Sequence, residues 1–181
     1  MPLQTVVAGT MCKSSSPSLQ GSDRSLIRSF GSHMNSVDKF ANGDYLISCR
    51  HTDSIYRIDG INGDIKWRMG GNPRQRYGDY KLEGFVFSRQ HDARILEENY
   101  EKGTFTMSFL DNAAGNDPRV IPPTDGHSTG YVVHVDEKRK IVTRLGEYPE
   151  PDGKLSNAKG NVQVLPNGNI FVAWIEDRLM R

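Results

Sequence analysis

Two stretches far apart in the chain share one grammar. FANGDYLIS at 40–48 answers LPNGNIFVA at 165–173: an Asn-Gly turn, a polar residue, then an apolar run. A second pair repeats too. YRIDGINGDIKWRMG (56–70) answers VHVDEKRKIVTRLG (133–146), each a strand ending in Asp, a turn and a strand ending in Gly. FSRQHDARIL (87–96) and TFTMSFLDN (104–112) supply the strands between them, and no segment holds a helical period of useful length. The order is strand–turn–strand–strand–turn–strand, twice, with a third copy begun. Four antiparallel strands per repeat is the plan of a β-propeller blade. The expected fold is therefore all-β, a partial β-propeller of about two and a half four-stranded blades. A β-sandwich is the alternative; recurrence of the strand grammar within the chain favours the propeller.

Propellers close with four to eight blades, and closure protects their edges. The sequence is therefore expected to be a fragment; otherwise copies of it self-assemble. Its propeller-like part is expected over 33–181. Residues 1–32 hold eight serines and no sustained period. They are expected to be disordered, or not to belong to the domain.

Composition narrows the function classes. The chain has 181 residues, 25% of them charged, with a formal net charge of +1. Nothing in that balance suggests a nucleic-acid partner, and DEKRK at 136–140 mixes both signs as a solvated turn does. No apolar stretch is long enough to span a membrane, and the N-terminus lacks the basic start of a signal peptide. The compartment is not encoded in any readable form. Two cysteines, Cys12 and Cys49, give neither a disulfide framework nor a metal cluster.

The stretch HMNSVDKFANGDYLISCRH (33–51) gathers polar chemistry at the open end of a hairpin. With Asn42-Gly43 as a two-residue turn, Phe40 faces Tyr45, Asn35 faces Arg50 and His33 faces Thr52. Alternation then puts His33, Asn35 and Arg50 on one face, and Met34, Ser36, Cys49 and His51 on the other. An imidazole, an amide and a guanidinium on one face suit an anionic oxygen; the same residues also read as solvated polars of a strand end. In a propeller the innermost strands line the channel. The openings of successive first strands, His33–Asn35, Arg89–Asp92 and Lys159–Asn161, would then converge at one mouth.

The segments HMNSVDKFANGDYLISCRHTDSIYRIDGINGDIKWRMGG, FSRQHDAR and GNVQVLPNGNIFVAW together resemble the arylsulfotransferase family, most of all its fungal branch, related to the bacterial arylsulfate sulfotransferases. The resemblance runs from about His33 to the C-terminus. It implies a six-bladed propeller that moves a sulfuryl group from an aryl sulfate to a phenol, without a nucleotide donor or other cofactor, through a sulfated histidine. By motif, His91 in RQHDAR matches the nucleophile, His33 and Asn35 in HMN the channel His and Asn, and Arg50 in SCRH the channel Arg. Asn161 in KGNVQ stands nearest the substrate-binding position, where the bacterial pattern has Thr. The implied partners are a small aryl sulfate and a phenol.

The residue types suit that chemistry. A neutral imidazole is a nucleophile that can later leave. Arg50 and Asn35 could hold the sulfuryl oxygens, and His33 could protonate the departing phenolate. A further channel histidine of the family has no counterpart here, because the serine-rich stretch occupies its place. An incomplete channel leaves its donors in bulk water, a reason for the stretch to be inactive by itself. Asp92 points away from His91 in a regular strand and is not assigned. His51, His127 and His134 read as packing, loop and strand residues. DNAAGND (111–117) lacks the spacing of a calcium loop, and no metal site is expected. Trp67 in NGDIKW resembles the docking tryptophan of quinoprotein propellers, and such a Trp packs blade on blade. The second functional reading is a non-catalytic propeller used as a binding scaffold.

Overall fold

The computed structural model describes residues 33–72, 78–115 and 123–175. Among them the chain is all-β save for one turn of 3₁₀ helix. A first antiparallel sheet runs β1 (Met34–Lys39), β2 (Tyr45–Cys49), β3 (Ser54–Ile58) and β4 (Ile65–Gly70), paired in chain order. In a second sheet β6 (His91–Asn99), β7 (Thr104–Asp111), β8 (Thr129–Asp136) and β9 (Ile141–Pro149) follow the same plan. A third begins with β10 (Asn161–Val164) and β11 (Ile170–Ala173). The architecture is that of a partial propeller, and among the described residues no sheet closes on itself. One strand was not expected: β5 (Lys81–Glu83) joins the outer edge of the second sheet, parallel to β9.

The repeat holds down to single hydrogen bonds. In the first hairpin Phe40 N–H donates to Asp44 O and Gly43 N–H to Phe40 O. In the last, Leu165 N–H donates to Asn169 O and Gly168 N–H to Leu165 O. Gly43 and Gly168 are both left-handed, with φ of 96° and 83°. The outer hairpins correspond likewise. Asp59 caps the amides of Ile61 and Asn62, Asp136 those of Lys138 and Arg139, and Lys140 (φ 57°) stands where the other repeat has Gly63 (φ 79°).

That bonding corrects the expected register. The loop is three residues with a left-handed Gly43, not a two-residue turn, so Phe40 faces Asp44 and Lys39 faces Tyr45. This is the alternative in which a type I turn is followed by a glycine bulge. Asp44 draws the turn inward: its amide is held by Asn42 Oδ1, and its buried carboxylate by Arg57 and Lys66. A second irregularity falls between Met34 and Ser36. Asn35 therefore does not face Arg50. His33 does, its carbonyl accepting the Arg50 amide at 2.8 Å.

The core lies between the first two sheets. Phe40, Leu46, Ile55, Trp67 and Met69 of one pack on Phe105, Met107, Phe109, Val133 and Val135 of the other. Trp67 is 4% exposed and stacks on Phe105 at 6.1 Å, so it packs sheet on sheet. Its Nε1 donates to Glu137, which also binds Arg57. Cys49 is buried; Cys12, the other cysteine of the sequence, lies outside the described residues. The inner strands β1 and β6 lie side by side, which places the site.

Candidate active site

The segment Arg89-Gln90-His91-Asp92 fastens the second sheet to the first, and each residue has its own partner. Gln90 is fully buried, and its Nε2 donates to Ser48 Oγ, Cys49 O and Ser54 O. The Arg89 amide donates to Asp53 Oδ1, and its guanidinium lies 3.6 Å from that carboxylate. Burial lowers the Arg89 pKa, with Asp53 opposing; a guanidinium stays charged regardless. Arg89 and Asp92 are left-handed, with φ of 58° and 56°. The segment is thus a kinked entry to β6 and not a regular strand. Asp92 turns to Arg94, at 2.7 Å.

His91 sits at the kink, 5% exposed. Its Nδ1 faces two oxygens, Arg89 O at 2.9 Å and Asn112 Oδ1 at 2.6 Å. The Asn112 orientation is set from its far side, where Nδ2 donates to Ser156 O (2.7 Å) and Lys159 O (2.9 Å). With only acceptors before it, Nδ1 carries the proton, and the neutral ring's lone pair is on Nε2. A backbone amide, that of Lys159, reaches Nε2 at 3.3 Å, a long and weak bond. Burial is the largest influence on this ring and lowers its pKa; Arg50 and His33 lower it further, against the contacts with Asn112 and Arg89.

The structure brings His33 to His91. Their ring centroids are 5.8 Å apart and the planes nearly perpendicular. His33 is exposed, at the mouth. Its pKa is lowered by partial desolvation, then by His51 and Arg50. Arg50 opens a 3₁₀ turn, Arg50–Thr52, and its guanidinium donates to Asn157 O at 2.7 Å. Its charge acts on both rings. Asn35 lies beside the kink: Nδ2 donates to Gln90 O at 2.7 Å, and Oδ1 faces the Asp92 amide at 3.4 Å. Asn161 heads β10, two residues past Lys159, and its Oδ1 is buried without a hydrogen-bond partner.

Two residues of the cluster escaped the sequence reading. His51 was put on the far face by strand alternation. The strand ends at Cys49, though, and the 3₁₀ turn brings His51 within 5.5 Å of His33. Asn112 lay in a stretch read for calcium spacing. Its one available signal was a carboxamide ending an apolar strand beside the one that carries His91. His127 faces Asp125 at 3.7 Å. Among the described residues no group of His, Cys, Asp and Glu is arranged to hold a metal, and no helix is long and apolar enough to cross a membrane.

A family model described as arylsulfotransferase (ASST) matches residues 4–177. The match reaches back through the serine-rich stretch, so a boundary at residue 32 has no support from it. Among curated proteins none matches the chain.

Proposed function

The chain belongs to the arylsulfotransferase family, and from that premise we propose that it transfers a sulfuryl group from an aryl sulfate to a phenolic acceptor. The transfer uses no nucleotide and passes through sulfated His91. The observation that carries this reading is the pair of oxygens at His91 Nδ1, Asn112 Oδ1 at 2.6 Å and Arg89 O at 2.9 Å; two acceptors there favour a proton on Nδ1 and a lone pair on Nε2. That nitrogen is the nucleophile.

In the first half-reaction Nε2 attacks the sulfur. The bond from sulfur to the aryl oxygen breaks, and the phenolate leaves with the electron pair. Protonated His33 gives it a proton. Arg50 and the second amide hydrogen of Asn35 hold the sulfuryl oxygens, and Asn161 contacts the substrate. In the second half-reaction neutral His33 takes the proton of the incoming phenol. The phenol oxygen attacks sulfur, and the S–N bond returns its pair to Nε2. The weak Lys159 amide contact at 3.3 Å must open before attack.

The same contact, with the 5% exposure of His91, favours the second reading, a binding scaffold that never uses this lone pair. One experiment separates the two. The protein is incubated with 4-nitrophenyl sulfate in nucleotide-free buffer, and its peptides are weighed under alkaline conditions. The enzyme reading expects one SO₃ on the peptide bearing His91, lost on adding phenol and never formed in His91→Ala. No adduct, or one that persists in His91→Ala, overturns the nucleophile assignment.

A further inference from the structure

Asn112 touches both the reacting ring and the loop over it. Its Oδ1 accepts from His91 Nδ1 at 2.6 Å, while its Nδ2 donates to the Ser156 and Lys159 carbonyls. It is fully buried. Its backbone is held as well, since Asn112 O accepts the Ser128 hydroxyl at 2.8 Å, and Ser128 Oγ accepts the Ser156 amide at 2.7 Å. The carboxamide cannot flip without facing its NH₂ to the Nδ1 proton and its oxygen to two carbonyls. The loop therefore fixes the amide, and the amide fixes the ring.

We propose that Asn112 is the positioning residue of sulfuryl transfer: it holds the proton on Nδ1 of His91, presents Nε2 to sulfur, and supports the charge that the ring acquires. The proposal rests on the sulfohistidine reading. When Nε2 bonds to sulfur, Nδ1 keeps its hydrogen and the ring becomes cationic, balanced by the sulfonate. A hydrogen bond from a cationic N–H is about twice as strong as from a neutral one. The Asn112 and Arg89 oxygens thus bind the sulfated ring, and the transition state leading to it, more tightly than the resting ring. A neutral amide raises the ring's basicity less than a carboxylate would, and burial outweighs it. The nucleophile stays unprotonated beside Arg50 and His33, the other charged or titratable groups that act on it.

Two measurements test this. The first needs neither a variant nor activity: the ring nitrogens of His91 are observed by long-range ¹H–¹⁵N NMR on the wild-type protein. A proton on Nδ1 supports the assignment; a proton on Nε2 overturns it. The second is steady-state transfer from 4-nitrophenyl sulfate by Asn112→Ala and Asn112→Asp. Asn112→Ala is expected to lose kcat on the order of 10²-fold or more, as other enzymes do when the catalytic histidine is released into the wrong tautomer, with KM little changed. Asn112→Asp keeps the acceptor at Nδ1 but turns its second oxygen to the Ser156 and Lys159 carbonyls, so it is expected to recover only part of the kcat lost in Asn112→Ala, with the acid limb of its pH profile moved to higher pH; a kcat no better than that of Asn112→Ala, with an unmoved acid limb, counts against the proposal. An Asn112→Ala variant with unchanged kcat overturns the proposal. A wild-type protein that transfers no sulfuryl group fails the enzyme reading instead, and the NMR arm still decides what Asn112 does to His91.

Discussion

His33 and His91 both have pKa values below that of an ordinary imidazole, yet the proposed chemistry asks opposite things of them. His91 must be neutral to attack, and its depressed pKa makes it so through the neutral range. His33 must be protonated to help a poor leaving group, and its depressed pKa makes that form scarce but strongly acidic. The consequence depends on the donor. With 4-nitrophenyl sulfate, whose phenolate leaves unaided, adduct formation is expected to rise with pH through the His91 pKa, below 6.5, and then level off. With an unactivated phenyl sulfate, the rate is expected to fall again above the His33 pKa. Stopped-flow release of the two phenols across pH checks this, and identical profiles would remove His33 from the acid role. Folding has the matching sign. A histidine whose folded pKa is lowered disfavours the folded state as pH falls from the unfolded value toward the folded one.

At the scale of the element, the turns hold the register, and two of their glycines have different reasons to be glycine. Gly43 sits at φ 96° with open space around its α-carbon, so an added methyl meets no atom and only the backbone is strained. Gly60 has no such φ, but an added Cβ would lie 2.0 Å from Gly43 O. Gly43→Ala is expected to cost about 1 kcal/mol, the ordinary price of a left-handed alanine. Gly60→Ala forces two turns apart and is expected to cost more, about 1–3 kcal/mol. Urea melts of both variants rank them, and the reverse order would mean that the turns separate easily. The same level explains where strand counting failed. Alternation placed His51 on the wrong face because it assumes an extended chain, and the chain leaves the strand at Cys49.

At the scale of the molecule, the two complete sheets are joined by an apolar core and a buried ion network. Arg57 binds Asp44 at 2.8 Å and Glu137 at 2.7 Å, and Glu137 also takes the Trp67 indole N–H. Burial would raise the Asp44 pKa, but hydrogen bonds from Asn42, Lys66, Arg57 and the Gly60 amide outweigh it and hold the carboxyl well below its ordinary value. An acid so depressed contributes its stability in full above the unfolded value near 3.8, and loses it as pH falls toward the folded one. Asp44→Ala leaves Arg57 short of a partner between the sheets and is expected to cost about 3–5 kcal/mol. Denaturant titrations at neutral pH and near pH 2 test both points. The gap between wild type and variant narrows in acid, and a gap independent of pH would show that Asp44 acts by shape alone.

Strand order, the repeat and the family resemblance were all legible in the chain. Alternation and turn chemistry act over a few residues, and Asn-Gly turns recur where the fold recurs. Asp59 and Asp136 cap equivalent turns with different neighbours, and both are visible as a strand ending in Asp. HMN, SCRH and RQHDAR likewise named residues that the fold gathers around His91, because each motif is local. The partners of those residues were not legible. That Gln90 reaches Ser48 and Ser54, that Asn112 reaches His91, Ser156 and Lys159, and that His51 turns toward His33 depend on how sheets approach and where a strand stops. Short-range pattern carries the geometry of one strand and its turn. Which nitrogen of His91 holds its proton is decided by atoms 2 and 21 residues away in sequence, which only the packed fold brings within hydrogen-bond reach.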